Sequence, residues 1–121
     1  TIGKLKEKGI RVSLFVDADE KAVEGAKIVN ADRIELYTGP YAEEFYHDRE
    51  KVIEPHIRAA KIAHELGLGI NAGHDLNLDN LKFYKSRVPN LSEVSIGHAI
   101  ICDAIYLGLE TTIKRYLEEL S

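Results

Sequence analysis

One pattern constrains this chain more than any other. A short β-branched or apolar run leads into a turn and then a helical stretch, and this happens four times in 121 residues. The runs are IRVSLFVD (Ile10–Asp17), RIELYT (Arg33–Thr38), LGINAG (Leu68–Gly73) and EVSIG (Glu93–Gly97). Strands that alternate with helices read as βα units and a parallel sheet. Strands are expected at Arg11–Val16, Arg33–Tyr37, Gly69–Asn71 and Glu93–Ile96, all parallel. The opening TIGKLKEKG reads as the end of a helix stopped by Gly9, and Gly67 stops a later helix in the same way. Pro55 marks the start of a helix or a kink in one. From His98 to the end a single helix is expected. Its apolar stripe is Ile101, Ala104, Ile105, Gly108, Leu109, Ile113, Tyr116, Leu117 and Leu120.

Side chains on a strand alternate faces, so parity sorts them. Ile10, Val12, Leu14 and Val16 oppose Arg11, Ser13, Phe15 and Asp17. Ile34 and Leu36 oppose Arg33, Glu35 and Tyr37. Ile70 and Ala72 oppose Asn71 and Gly73, and Val94 and Ile96 oppose Glu93, Ser95 and Gly97. A sheet covered by helices on both sides needs strands that are apolar throughout. Here one face is apolar and the other polar. Helices on one side, with the polar faces turned inward, describe a (β/α)8 barrel whose site lies at the strand C-termini. A complete barrel has eight units in about 250 residues. Residues 1–121 then form one domain segment of four such units, half of that number; as the second half of a barrel they would be strands five to eight with their helices.

Composition limits the alternatives. Hydrophobic residues make up 45% and charged residues 30%, the profile of a folded chain. Sixteen Lys+Arg against twenty Asp+Glu leave a net charge of -4, so no basic surplus points to nucleic acid or an anionic membrane. No apolar run approaches a membrane span. The single Cys102 allows no intrachain disulfide, fits a reducing compartment and reads as a packing residue in the last helix.

Several residues could carry chemistry. Glu35 is inward by parity near a strand end. It either forms a structural ion pair with Arg11 or Arg33 or acts on a substrate. His74 follows the third strand in NAGHD, where a rim histidine suits general acid–base work. Gly97-His98 closes the fourth strand and opens a helix, an arrangement that lets free N–H groups hold an anion. The bland alternative is a turn that needs glycine for its backbone. Asp17, Asp19 and Glu20 read as an N-cap with first-turn acids. His47 falls in an expected loop, GPYAEEFYHD, of the kind that covers a site. His56 and His64 read as surface residues. No metal motif, P-loop or nucleophile elbow is present.

GIRVSLFVDAD, RIELYTGPYA, GLGINAGHDLNLDNL and VSIGHAII occur in this order. Together they resemble the C-terminal half of the pyridoxine 5′-phosphate synthase family of vitamin B6 biosynthesis. The resemblance runs from about Ile2 to the end. It implies a cytoplasmic homo-oligomer of (β/α)8 barrels that needs no metal or organic cofactor. The implied reaction condenses 3-amino-2-oxopropyl phosphate with 1-deoxy-D-xylulose 5-phosphate. Its products are pyridoxine 5′-phosphate, phosphate and water. Glu35 matches the family's catalytic strand glutamate and His74 its proton donor. Gly97 and His98 match its substrate phosphate contact, and Asp75 stands at a substrate-contacting position where the family carries glycine. The resemblance also implies an N-terminal half, bearing further Asn, Asp, His, Arg and Glu site residues, as the partner of this segment. A non-catalytic phosphate-binding or self-associating half-barrel is the alternative.

Overall fold

The computed structural model describes all residues, Thr1–Ser121. In chain order the elements are α1 (Ile2–Glu7), β1 (Ser13–Val16), α2 (Glu20–Ile28), β2 (Arg33–Tyr37), α3 (Gly39–Val52) and α4 (Glu54–Glu65). There follow β3 (Gly69–Gly73), α5 (Leu81–Arg87), β4 (Leu91–Ser95), α6 (His98–Leu107) and α7 (Leu109–Leu120). The strands form one sheet in the order β1-β2-β3-β4, every pair parallel. No helix is long and apolar enough to cross a membrane.

Helix ends are set by local chemistry. Asp19 caps α2 by accepting from the Ala22 amide at 3.1 Å. Three helices end in the same motif before delivering the chain to a strand. Gly9, Asn30 and Gly67 each take a positive φ of 73°, 63° and 73°. The amides of Ile10, Ala31 and Leu68 reach back to the carbonyls of Leu5, Ala26 and Ala63. Pro55 lies in the first turn of α4, where its missing N–H costs nothing.

The apolar strand faces make the core. Ile34, Leu36, Ile70, Ala72 and Leu91 are buried with Val23, Ala26, Ala59, Ala60, Ala63, Leu81 and Tyr84 of the helices. The opposite face carries Ser13, Phe15, Arg33, Glu35, Tyr37, Asn71, Glu93 and Ser95. The register aligns Phe15, Glu35, Asn71 and Glu93 in one row across the sheet. Leu91 has the parity of Glu93 yet pairs with core-facing Ile70, because the β3–β4 register shifts between Ile70 and Asn71. That irregularity moves β4 to Leu91–Ser95, two residues earlier at its start than the run Glu93–Ile96. β3 continues to Gly73, which pairs with both Tyr37 and Ser95.

Four expectations are corrected. The segment around His47 is not a loop: Gly39–Val52 is helical, with Tyr41 and Phe45 buried. The helix breaks at Asp48, whose side chain caps its restart at the Lys51 amide. The last helix is two helices, since Gly108 adopts φ 78° and ψ 148° between α6 and α7. Consequently the stripe Ile101, Ile105, Leu109, Ile113 and Leu117 stays exposed, and Thr112 and Tyr116 turn inward. Cys102 is exposed on α6, which buries no residue in this chain.

His56 is the fourth correction. It is 3% exposed rather than on the surface. Its Nδ1 lies 2.9 Å from the Tyr84 hydroxyl, and Tyr41 and Tyr84 pack edge-on around it. Polar helix neighbours hid this, because the tyrosines that enclose His56 come from α3 and α5. Burial pushes its pKa from 6.5 down to about 4. The unfolded chain binds this proton near pH 6.5, while the folded chain resists it until about pH 4. Stability is therefore complete above pH 6.5 and falls as pH drops toward 4, by about 3 kcal/mol over that window. Urea unfolding across this range should show the loss, and His56→Gln should flatten it. Equal slopes in both proteins would assign the loss elsewhere.

Candidate active site

Glu35, His74, Asp75, Gly97 and His98 line one cavity of about 700 Å³ at the C-terminal ends of the strands. Phe15 and Ser95 complete its floor. The five residues come from β2, from the turn after β3 and from the start of α6. Only the parallel stacking of the strands brings them together.

Glycines on β3 make room for the long side chains of β2. A Cβ at Gly69 would meet the Arg33 side chain at 2.7 Å. One at Gly73 would collide with Glu35 Oε1 and approach Ser95 at 3.1 Å. Glu35 therefore lies across β3 toward β4, over a residue that has no side chain. The ion pair considered for Glu35 is not formed. Arg11 binds Glu93 through both nitrogens at 3.0 and 3.2 Å. Arg33 donates to Asn71 Oδ1 at 3.0 Å and lies 3.8 Å from Glu93. Asn71 donates to Glu93 at 3.1 Å. The hydrogen bonds from Arg11 hold the Glu93 carboxyl below the usual carboxylate range. Both arginines are thus engaged below the site, and Glu35 keeps its carboxylate for the cavity.

His74 and Asp75 adopt φ of 90° and 58°, two successive side-chain-bearing residues in the left-handed region. His74 Nδ1 lies 2.9 Å from Asp75 Oδ2. An ionised carboxylate only accepts, so Nδ1 carries the proton and Nε2 is the nitrogen that exchanges one. The Tyr37 ring packs edge-on against the His74 ring, centroids 5.1 Å apart. Asp75 and Tyr37 therefore orient a ring that is otherwise open to the cavity.

At Gly97 the backbone has φ -112° and ψ -73°, a value that does not require glycine. An added Cβ would meet nothing within 4 Å. Neither backbone conformation nor packing within this chain therefore requires glycine here. No side chain caps α6, so its first amides are free for a bound group. His47 and His64 are exposed on α3 and α4 and do not line the cavity. No group of three or more His, Cys, Asp or Glu is placed to hold a metal ion. Sequence reasoning missed Thr38, Tyr37 and the Asp75–His74 bond. Adjacency in sequence was a signal for the last of these.

A four-stranded parallel βα sheet whose polar residues gather at the C-terminal rim of its strands defines the (β/α) barrel class, here represented by four units. Residues 1–121 match the family model described as Pyridoxal phosphate biosynthesis protein PdxJ, and the chain belongs to that family. It is 58% identical over 119 residues to a protein of Cytophaga hutchinsonii named pyridoxine 5′-phosphate synthase, covering 98% of this chain and 50% of the relative. Proteins of the same name from Christiangramia forsetii and Porphyromonas gingivalis are 55% and 54% identical. These matches cover 97% and 93% of this chain and 49% and 48% of the relatives. The chain thus spans about half the length of the relatives it matches.

The glycine geometry makes a direct prediction. Gly73→Ala in the full-length protein should displace Glu35 and lower kcat about 10–100-fold, the scale of a misplacement near 1 Å. Circular dichroism should show an intact fold. Wild-type kcat would mean that Glu35 needs no such placement.

Proposed function

We propose that the full-length protein is a pyridoxine 5′-phosphate synthase. It condenses 3-amino-2-oxopropyl phosphate with 1-deoxy-D-xylulose 5-phosphate to give pyridoxine 5′-phosphate, phosphate and water. The observation that carries this reading is the convergence of Glu35, His74, Asp75, Gly97 and His98 on one cavity in a member of this family. Nothing in the fold or in the relatives favours a non-catalytic half-barrel.

The residues divide the work. Ring closure with loss of water and phosphate moves protons repeatedly, and His74 Nε2 is the exchanging atom. Asp75 holds the tautomer and steadies the imidazolium that forms. Only Oδ2 of Asp75 is taken by His74, and Oδ1 stays open toward the cavity. Glu35 polarises or deprotonates substrate from the cavity wall. The first amides of α6, with Gly97 and His98, anchor a substrate phosphate and so orient the reacting carbons. No metal or organic cofactor enters these steps.

The N-terminal half of the barrel is the implied partner of this segment. It would cover the exposed inner face, where Phe15 is 57% exposed. The apolar surface of α6 and α7 remains for subunit association in a cytoplasmic homo-oligomer.

Steady-state kinetics of the full-length protein test this reading. His74→Asn should lower kcat about 10²–10⁴-fold, with a much smaller change in KM. Glu35→Gln should lower kcat and leave the fold intact. A near wild-type rate for His74→Asn would make the rim histidine structural only. Gly97→Val should raise KM strongly with its fold unchanged, since the space above Gly97 is open within this chain. An unchanged KM would move the phosphate elsewhere.

A further inference from the structure

Thr38 is fully buried directly after β2 and is not among the residues that line the cavity. Its hydroxyl lies 2.7 Å from the Gly73 carbonyl oxygen and bonds also to the His74 carbonyl oxygen. The Thr38 amide donates to the same Gly73 oxygen at 2.9 Å. The next carbonyl, that of Asp75, accepts from Asn80 Nδ2 at 3.2 Å. Asn80 is itself buried, and its own carbonyl accepts from Tyr41 at 2.7 Å. Three successive carbonyls, 73 to 75, are therefore gripped by buried side chains. The two residues with left-handed backbone, His74 and Asp75, lie within that grip.

Left-handed backbone is disfavoured for residues with a Cβ, and two in succession persist only when surrounding contacts over-determine them. Nothing on the His74 side chain fixes its backbone, since its ring meets only Asp75 and Tyr37 and is half exposed. The constraint has to come from beneath. A β-branched hydroxyl residue at the strand end meets this need. The side chain is fully buried, and its single hydroxyl proton can serve the His74 carbonyl while the Thr38 amide serves that of Gly73.

We propose that Thr38 is a positioning residue of the reaction: its hydroxyl holds the Gly73–Asp75 turn and so fixes His74 at the cavity. This rests on His74 being the acid–base group. Asn80 supports the same turn from its far end.

The test is a double-mutant cycle in the full-length protein. Thr38→Val keeps the shape and removes the hydroxyl. It should lower kcat about 10–100-fold with KM changed by no more than about threefold. Thr38→Ser, which restores the hydroxyl, should return kcat to within about threefold of wild type. In a His74→Asn background Thr38→Val should cost less than about twofold, because the group it positions is gone. If Thr38→Val does not fold, the same comparison is read from Thr38→Ala against Thr38→Ser, which differ only in the hydroxyl. A wild-type rate for Thr38→Val or Thr38→Ala beside an impaired His74→Asn overturns the proposal. So does an equal loss in both backgrounds, which would show a general effect on folding. A wild-type rate for His74→Asn overturns the acid–base reading itself, and the positioning role with it.

Discussion

Arg11 and Glu93 belong to opposite edges of the sheet, yet they bind each other through two hydrogen bonds across its inner face. In a flat sheet the two outer strands stand about 14 Å apart, three spacings of 4.7–4.9 Å. A bidentate pair between their side chains is favoured when the inner face is concave. Everything else on that face depends on this closure. It gathers Arg33 and Asn71 into one polar network at the lower level, and it brings the ends of β2 and β4 to the same cavity above. Both partners are exposed in this chain, so the pair's net stabilisation is small. Its importance is geometric. Because Glu93 takes both arginines, Glu35 in the same register row has no cation to neutralise it.

The levels also explain the glycines. Inward positions of β3 are Gly69, Asn71 and Gly73. The two glycines give way to Arg33 and Glu35, and Asn71 between them links Arg33 to Glu93 through its two-sided amide. Short residues on one strand thus set the direction of long residues on the next. The pattern GINAG then states where the β2 side chains go, once the register with β2 is known.

Much of this was legible in sequence because it follows from period two. The parity of Arg33, Glu35 and Tyr37 holds, as do the parallel order and the helix stops at Gly9 and Gly67. What escaped required contacts between distant segments. His56 looks solvated among Glu54, Arg58 and Lys61, but tyrosines 15 and 28 residues away along the chain enclose it. The last helix shows an unbroken stripe because Gly108 falls on a stripe position, so periodicity alone cannot reveal its positive φ. The role of Thr38 rests on the backbone of a turn 35 and 36 residues later. Position and partner matter there more than residue type. The candidate residues were picked out by their places at strand ends, and the family resemblance supplied the roles proposed for them, which spacing does not.

Charge shows what this half cannot do unaided. The cavity wall carries the carboxylates of Glu35 and Asp75, two histidines and the start of α6, but no Lys or Arg. Both arginines of the inner face are spent on Glu93. Two phosphorylated substrates would bring several further negative charges into a space with only partial positive charge from one helix end. A helix N-terminus can hold one phosphate, and a second would face Glu35 and Asp75 uncompensated. Under the proposed reaction, cations from outside residues 1–121 would offset these charges. The N-terminal half, on which the family resemblance places arginine and histidine, is the source that fits both the missing charge and the open inner face.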